Sequence, residues 1–67
     1  MLKNKRQKLI YQALVDLGGV ADTRRIAERC GLNTNGVSQT LGVMDDVGFS
    51  YDSRTRITMW RLIDSDN

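Results

Sequence analysis

The sequence predicts one domain of the α+β class, mainly α, in which three helices precede a β-hairpin within a sheet of two or three strands. Two observations favour this class. Apolar residues recur at helical spacing up to residue 47, and the pattern becomes alternating after residue 48. The chain has 67 residues, and a chain this short buries only about 60% of its unfolded surface. We therefore expect a single domain over 1–67 with a small core.

The first helix is predicted over 3–17. One stripe of this helix carries its apolar residues, which are Leu9, Ile10, Ala13, Leu14 and Leu17. Although cations are unfavourable at the positive end of a helix dipole, its first turns carry four basic residues, Lys3, Lys5, Arg6 and Lys8. Gly18 and Gly19 should end the helix, because glycine readily adopts the left-handed conformation of a helix cap.

A short extended link at Val20 and Ala21 leads to the second helix, which is predicted over 23–30 with Asp22 or Thr23 as its cap. Three residues of this helix should point inward, namely Ile26, Ala27 and Cys30. Four charged residues should point outward, namely Arg24, Arg25, Glu28 and Arg29.

The third helix is predicted over 34–47, with Asn33 or Thr34 as its cap and Gly48 as its end. Its buried face should consist of Val37, Leu41, Met44 and Val47. A β-hairpin is then predicted over 49–63, because FSYD alternates and RITMWRLI is rich in β-branched and aromatic residues. The loop of this hairpin should consist of Ser53, Arg54 and Thr55.

The composition indicates a binding module rather than an enzyme. Cys30 is the single cysteine, so it cannot form an internal disulfide, and we expect it to be a small buried hydrophobe. The absence of histidine removes the commonest general base and metal ligand, and no paired carboxylates or phosphate-binding glycine loop occur at useful spacing. We therefore expect no catalytic residue, no metal site and no cofactor.

No apolar run approaches the ~20 residues of a membrane span, and no apolar signal core follows the basic N-terminus. We therefore expect a cytoplasmic or nucleoid-associated protein with no membrane partner. The formal net charge is +2 at pH 7, but residues 1–31 hold seven basic residues against three acidic ones. A small domain with this balance is compatible with a nucleic-acid partner.

The segment TRRIAERCGLNTNGVSQTL has the spacing of a helix-turn-helix. Ala27 is small where the next helix crosses. Gly31 follows four residues later, ends the second helix and readily adopts the positive φ that the turn requires. Leu32 fills the space between the helices, and Val37 and Leu41 pack back against it. With the hairpin added, the chain resembles the winged helix-turn-helix superfamily over residues 3–63.

The resemblance implies a small phage or prokaryotic regulator of transcription. Its third helix would enter the major groove of double-stranded DNA, and the hairpin, or wing, would lie along the flanking backbone or minor groove. The ending TMWRLI is also similar to the wing of Z-DNA-binding winged helices. Ser38 and Gly42 stand where that family carries Asn and Tyr, so we expect Trp60 to be a packing residue.

Four outward residues of the third helix are candidate base readers, namely Thr34, Asn35, Ser38 and Gln39. Asn and Gln can pair with adenine, and Thr can contact a thymine methyl group. Because the third helix carries no basic residue, affinity would have to come from phosphate contacts elsewhere. The candidate phosphate contacts are Arg24, Arg25, Arg54, Arg56, Lys3, Lys5 and Arg6.

An alternative function is a winged-helix module that binds protein, for example as a subunit of a complex, without binding DNA. Asp45 and Asp46, expected at the C-terminal end of the third helix, would then face a partner or a second copy. A homodimer is also expected on a symmetric DNA site, with the first helix and the C-terminal strand as candidate surfaces. Basic groups clustered beside the third helix would favour DNA, whereas scattered ones with an exposed apolar patch would favour protein.

Overall fold

Three helices and a three-stranded antiparallel sheet make up residues 4–63, the part of the chain that the structure, a computed structural model, describes. In chain order the elements are α1 (Lys5–Asp16), β1 (Val20–Asp22), α2 (Thr23–Cys30), α3 (Thr34–Gly42), β2 (Val47–Asp52) and β3 (Ile57–Leu62). The α+β class and the predicted order of elements are confirmed. No helix within residues 4–63 is long and apolar enough to cross a membrane.

Both ends of α1 follow from local chemistry. The helix begins at Lys5 because the side-chain oxygen of Asn4 accepts a hydrogen bond from the N–H of Gln7 at 2.8 Å and so caps it. At the other end, Gly18 and Gly19 have φ angles of 93° and 91°, as expected for a left-handed cap. These glycines turn the chain toward β1.

The predicted turn between α2 and α3 is confirmed. Gly31 has a φ angle of 71° and caps α2 in the left-handed conformation. The N–H of Leu32 then donates to the carbonyl of Ala27 at 3.1 Å. Asp22 caps α2 and Asn33 caps α3, each through a side-chain oxygen that accepts a backbone N–H of the first turn.

The prediction that α3 extends to residue 47 is wrong, because the helix ends at Gly42. Gly42 and the β-branched Val43 are weak helix formers. The last turn tightens, with the N–H of Val43 donating to the carbonyl of Thr40 at 3.1 Å. Beyond the turn, pairing with β3 replaces the helical hydrogen bonds.

The segment after α3 therefore differs from the prediction. Met44 and Val47 are buried as expected, but they reach the core from the turn and from β2 instead of from α3. Gly48 lies within β2 and does not end a helix. Asp45 and Asp46 lie in the turn, so they do not oppose the dipole of α3.

The central strand of the sheet is β3, in the order β1-β3-β2. Trp60 of β3 lies opposite Ala21 of β1 and Phe49 of β2. The predicted extended link before α2 is thus a paired edge strand. The hairpin loop occupies residues 53–56, one residue longer than predicted, because Arg56 belongs to the turn and has a φ angle of 61°.

The core lies between the helices and the sheet face that carries Trp60. Its largest fully buried side chains are Ile10, Leu14, Ile26, Val37 and Leu41. Leu9, predicted to lie on the apolar stripe of α1, is instead 48% exposed. Successive helix residues point about 100° apart, so Leu9 falls beside the stripe that Ile10 defines. Leu17 and Cys30 are partly buried at the edge of the core.

Candidate nucleic-acid interface

A cleft of about 360 Å³ opens between the first turn of α2, the first turn of α3 and the hairpin. Three of the predicted site residues line it, namely Arg24 on α2, Thr34 on α3 and Arg56 in the hairpin loop. Ile57 and Thr58 of β3 form the wall on the hairpin side. The fold thus brings two arginines and one candidate base reader together from three separate elements.

A hydrogen bond between side chains ties the hairpin to α2 beside this cleft. The indole N–H of Trp60 donates to the hydroxyl oxygen of Thr23 at 2.8 Å, in a partly buried position. Trp60 is 6% exposed, and its ring lies 5.6 Å from the ring of Phe49. Because Thr23 immediately precedes Arg24, this bond fixes the distance between the hairpin and the cleft end of α2. The predicted packing role of Trp60 is confirmed.

The hairpin loop holds Arg56 in an unusual backbone conformation. Within residues 4–63, Arg56 is the only residue other than glycine with a positive φ angle, 61°. This conformation costs a residue with a β-carbon roughly 1–2 kcal/mol. The N–H of Arg56 donates to the carbonyl of Asp52 at 2.7 Å, and the N–H of Arg54 donates to the Asp52 carboxylate at 2.9 Å. Arg56 lines the cleft, whereas Arg54 lies at the loop tip outside it.

All four candidate base readers are exposed on α3, namely Thr34, Asn35, Ser38 and Gln39. Their positions differ by one, four and five residues, so they share one face of the helix. Their side chains form no hydrogen bond with any residue from 4 to 63. The polar groups of this face are therefore available to a ligand.

Arg6 of α1 reaches the first turn of α3. Its guanidinium nitrogen Nη1 lies only 2.8 Å from the point that a β-carbon on Gly36 would occupy. A β-carbon essentially never approaches another atom so closely, so glycine at this position leaves room for the guanidinium. Arg6 itself is exposed, and within the described part of the chain it forms no ion pair. A positive charge thus lies beside the first turn of α3.

The other predicted basic residues are not gathered at the cleft. Arg25 lines a separate depression with Leu17 on the flank of α2. Lys5 is exposed in the first turn of α1, and Lys3 lies outside the described residues. Arg24 forms an ion pair with Glu28 at 3.5 Å, but both side chains are largely exposed, so this contact is weak and easily exchanged for another anion.

A second cluster, between α1 and α2, has a structural role. The Asp16 carboxylate accepts hydrogen bonds from Gln12 at 2.9 Å and from Arg29 at 3.1 Å. The bond from Gln12 has the larger effect and the bond from Arg29 the smaller, and together they lower the pKa of Asp16 below its ordinary value of 3.8.

The thiol of Cys30 donates to the carbonyl of Ile26 at 2.9 Å, and burial raises the pKa of this thiol. Cys30 therefore behaves as a packing residue and not as a reactive thiol.

Two aromatic residues of the hairpin were not among the predicted site residues. Phe49 is 67% exposed and Tyr51 is 55% exposed, and they lie on the same face of β2. Tyr51 lies opposite Thr58, which lines the cleft. The alternation in FSYD predicts that both rings lie on the same face of the strand. It does not predict that this end of the face is left uncovered by the helices that pack on the rest of the sheet.

The chain matches no protein-family model, no curated protein and no solved structure. Among residues 4–63, no group of three or more histidine, cysteine, aspartate or glutamate side chains could hold a metal ion.

Proposed function

We propose that this protein is a winged helix-turn-helix domain that binds double-stranded DNA with sequence specificity and acts as a small transcriptional regulator. In this proposal α3 enters the major groove, and the β2–β3 hairpin is the wing along the flanking backbone. The observation that carries the proposal is the cleft shared by Arg24, Thr34 and Arg56. Two arginines beside the start of an exposed polar helix suit a phosphate strand that runs along the edge of the groove.

The architecture supports the winged-helix assignment. The turn at Gly31 joins α2 and α3 with the short connection of a helix-turn-helix, and the hairpin follows α3 directly in the chain. The bond between Trp60 and Thr23 keeps the hairpin next to α2. Helix and wing therefore form one surface that could contact neighbouring parts of a duplex.

Base recognition is assigned to the exposed face of α3. Asn35 and Gln39 each carry an amide that can pair with N6 and N7 of adenine, and a good pair of this kind discriminates by ~1–3 kcal/mol. Ser38 can bond to several base edges, and Thr34 can contact a thymine methyl group. Because these four side chains have no partner within residues 4–63, binding a base breaks no hydrogen bond of the described fold.

Phosphate binding is assigned first to Arg24 and Arg56, because both line the cleft. Arg56 supports this assignment in a second way, since it occupies a backbone conformation that glycine would adopt at lower cost. Arg6 adds a third positive charge beside α3. Arg54, at the loop tip, is a further contact if the wing follows the backbone.

The test is DNA binding measured by fluorescence anisotropy with labelled duplexes obtained by site selection. Arg24→Ala and Arg56→Gly should each weaken binding. Each should also reduce the steepness with which the logarithm of the binding constant falls with the logarithm of the salt concentration, by about 0.9 for each phosphate that the variant no longer neutralises. Arg56→Gly is preferred to alanine because glycine suits the left-handed backbone and should leave the loop intact.

The matched control is Arg61→Ala. Arg61 is exposed on the other face of the sheet from Trp60, the face that points away from the core and the helices. Removing it changes the net charge equally without changing the cleft. If Arg61→Ala weakened binding as much as Arg24→Ala, general charge and not the cleft would account for affinity. If no duplex were selected at low salt, the DNA-binding proposal would be rejected.

The second candidate function is a winged helix that binds a protein, which is either a different protein or a second copy of the chain. The exposed rings of Phe49 and Tyr51 favour it, because exposed aromatic residues are common in protein interfaces. Failure of site selection, together with association that depends on these two rings, would favour this candidate over DNA binding.

A further inference from the structure

We infer that the outer edge of β2 is a self-association surface on which a second copy of the chain pairs its own β2 in antiparallel orientation. Within residues 4–63 the sheet order β1-β3-β2 leaves this edge without a neighbouring strand. Pairing there joins the two sheets into one continuous sheet across a two-fold axis. This inference goes beyond DNA binding and does not depend on it.

The backbone of β2 is arranged for such pairing. The N–H of Ile63 donates to the carbonyl of Asp46 at 2.9 Å, so these two positions form a hydrogen-bonded pair at the start of the β2–β3 ladder. Hydrogen-bonded and non-bonded pairs alternate along an antiparallel ladder. Ser50 therefore bonds to β3, whereas Phe49 and Tyr51 direct their backbone N–H and C=O groups to the outer edge.

A two-fold axis at Ser50 matches the side chains as well as the backbone. Phe49 of one copy then lies directly opposite Tyr51 of the second copy, and the same pair recurs on the other side of the axis. Both residues have their backbone groups on the outer edge, so each pair can exchange two hydrogen bonds. Both rings, more than half exposed in the single chain, gain an aromatic cross-strand neighbour.

The charges at the two ends of the strand favour this register over pairing about position 49. Asp45 and Asp46 precede β2, and Arg54 and Arg56 follow it. Antiparallel pairing about Ser50 brings position 46 of one copy, in the turn before β2, level with position 54 of the other, in the hairpin loop, so that an acid lies near a base. Pairing about position 49 would set position 46 opposite position 52, two acids, and like charges directly opposite are unfavourable.

The strand also lacks the usual protection of an edge. Exposed edge strands generally carry lysine, proline, a bulge or a very short length, which prevents pairing with another chain. The segment VGFSYD has six residues, no proline and no basic residue, and its pairing with β3 is continuous from Val47 to Asp52. This edge therefore remains competent to pair.

Sedimentation velocity of the 67-residue chain, without DNA, tests the inference over a range of concentrations. We expect a concentration-dependent monomer–dimer equilibrium. Tyr51→Lys should raise the dissociation constant at least about tenfold, because lysine on an edge strand disfavours pairing. The matched control is Val20→Lys, which adds the same charge to β1, the opposite edge strand, where Val20 is 50% exposed. It should leave the dimer unchanged.

A charge reversal tests the acid–base contact at the ends of the strand. Arg54→Asp should weaken the dimer, because position 54 lies opposite Asp46 of the other copy. Arg54→Lys, which keeps the charge, should leave the dimer nearly unchanged. Circular dichroism of each variant should show that the fold is retained.

Two results would overturn the inference. One is a chain that stays monomeric up to about millimolar concentration. The other is a dimer that Val20→Lys abolishes and Tyr51→Lys spares, since the opposite edge would then be the interface.

Discussion

The guanidinium of Arg6 lies over Gly36, with Nη1 2.8 Å from the point that a β-carbon would occupy. This contact joins the first turn of α1 to the first turn of α3. Because α3 carries no basic residue, Arg6 adds a positive charge beside its first turn, in addition to the arginines of the cleft. Under the proposed function, glycine at position 36 leaves room for this arginine.

Replacing Gly36 by alanine should therefore separate stability from binding. Alanine is the better helix former by up to ~1 kcal/mol, so Gly36→Ala should raise the free energy of unfolding. Its β-carbon would also displace the guanidinium of Arg6, so DNA affinity should fall, but by less than in Arg6→Ala, because the end of this flexible side chain can move and keeps its charge. Urea unfolding and fluorescence anisotropy on one selected duplex measure the two effects.

Gly42→Ala provides the matched control for that experiment. A β-carbon on Gly42 would have no neighbour within 4 Å, so this variant should gain similar helix stability and leave Arg6 in place. DNA affinity should then be unchanged. If Arg6→Ala lost affinity but Gly36→Ala did not, Arg6 would not need its position over Gly36 to bind DNA.

The bond between Trp60 and Thr23 should contribute to stability. Thr23→Val keeps the shape of the side chain but leaves the indole N–H without its acceptor, which should cost about 1–3 kcal/mol. Thr23→Ser keeps the hydroxyl group and should recover most of that stability. The midpoint of urea unfolding, followed by tryptophan fluorescence, measures both. Equal stability of the valine and serine variants would mean that the bond contributes nothing.

Base reading and phosphate binding should respond differently to mutation. Asn35→Ala or Gln39→Ala should reduce the preference for the selected sequence by about 1–3 kcal/mol and leave binding to random DNA nearly unchanged. Arg56→Gly should weaken binding to selected and random duplexes alike. Competition binding with both duplexes measures this difference. An equal loss on every sequence in Gln39→Ala would remove Gln39 from the base readers.

The stability of the protein should fall in acid partly because of Asp16. Its pKa is lowered in the folded state by Gln12 and Arg29, so its contribution is present above the ordinary value of 3.8 and is lost as pH falls through the folded-state pKa. Asp16→Asn should make thermal stability less dependent on pH below about 4. Asp45→Asn, which removes an exposed carboxylate outside this cluster, is the control. Identical pH profiles for wild type and Asp16→Asn would contradict this role.

The local features of the fold could be predicted because single residues determine them. Gly31 marks a turn that requires a positive φ, and Asp22 and Asn33 cap the helices that follow them. The end of α3 could not be predicted in the same way. The apolar residues Met44 and Val47 continue the helical spacing, and only the pairing of β2 with β3 decides that the chain is extended there.

The candidate site could be predicted only in part. The outward face of α3 followed from helical spacing, since exposure of those residues depends on one helix. Arg24 and Arg56 line the same cleft only because the hairpin packs against α2, and this packing could not be predicted from the residues next to either arginine in the sequence. The contact between Arg6 and Gly36 joins two helices in the same way. Glycine within a helix was the only signal for it.

The most direct test of the proposed DNA-binding surface is a titration of isotope-labelled protein with a mixed-sequence duplex, followed through backbone amide shifts at low salt and again at about 200 mM salt. We predict shifts concentrated on residues 34–39, Arg24 and Arg56, with the side-chain signal of Arg6 moving as well, and all of them diminishing with salt. Absence of shifts at low salt, or shifts confined to the cluster around Asp16, would contradict the proposal that α3 and the cleft bind DNA.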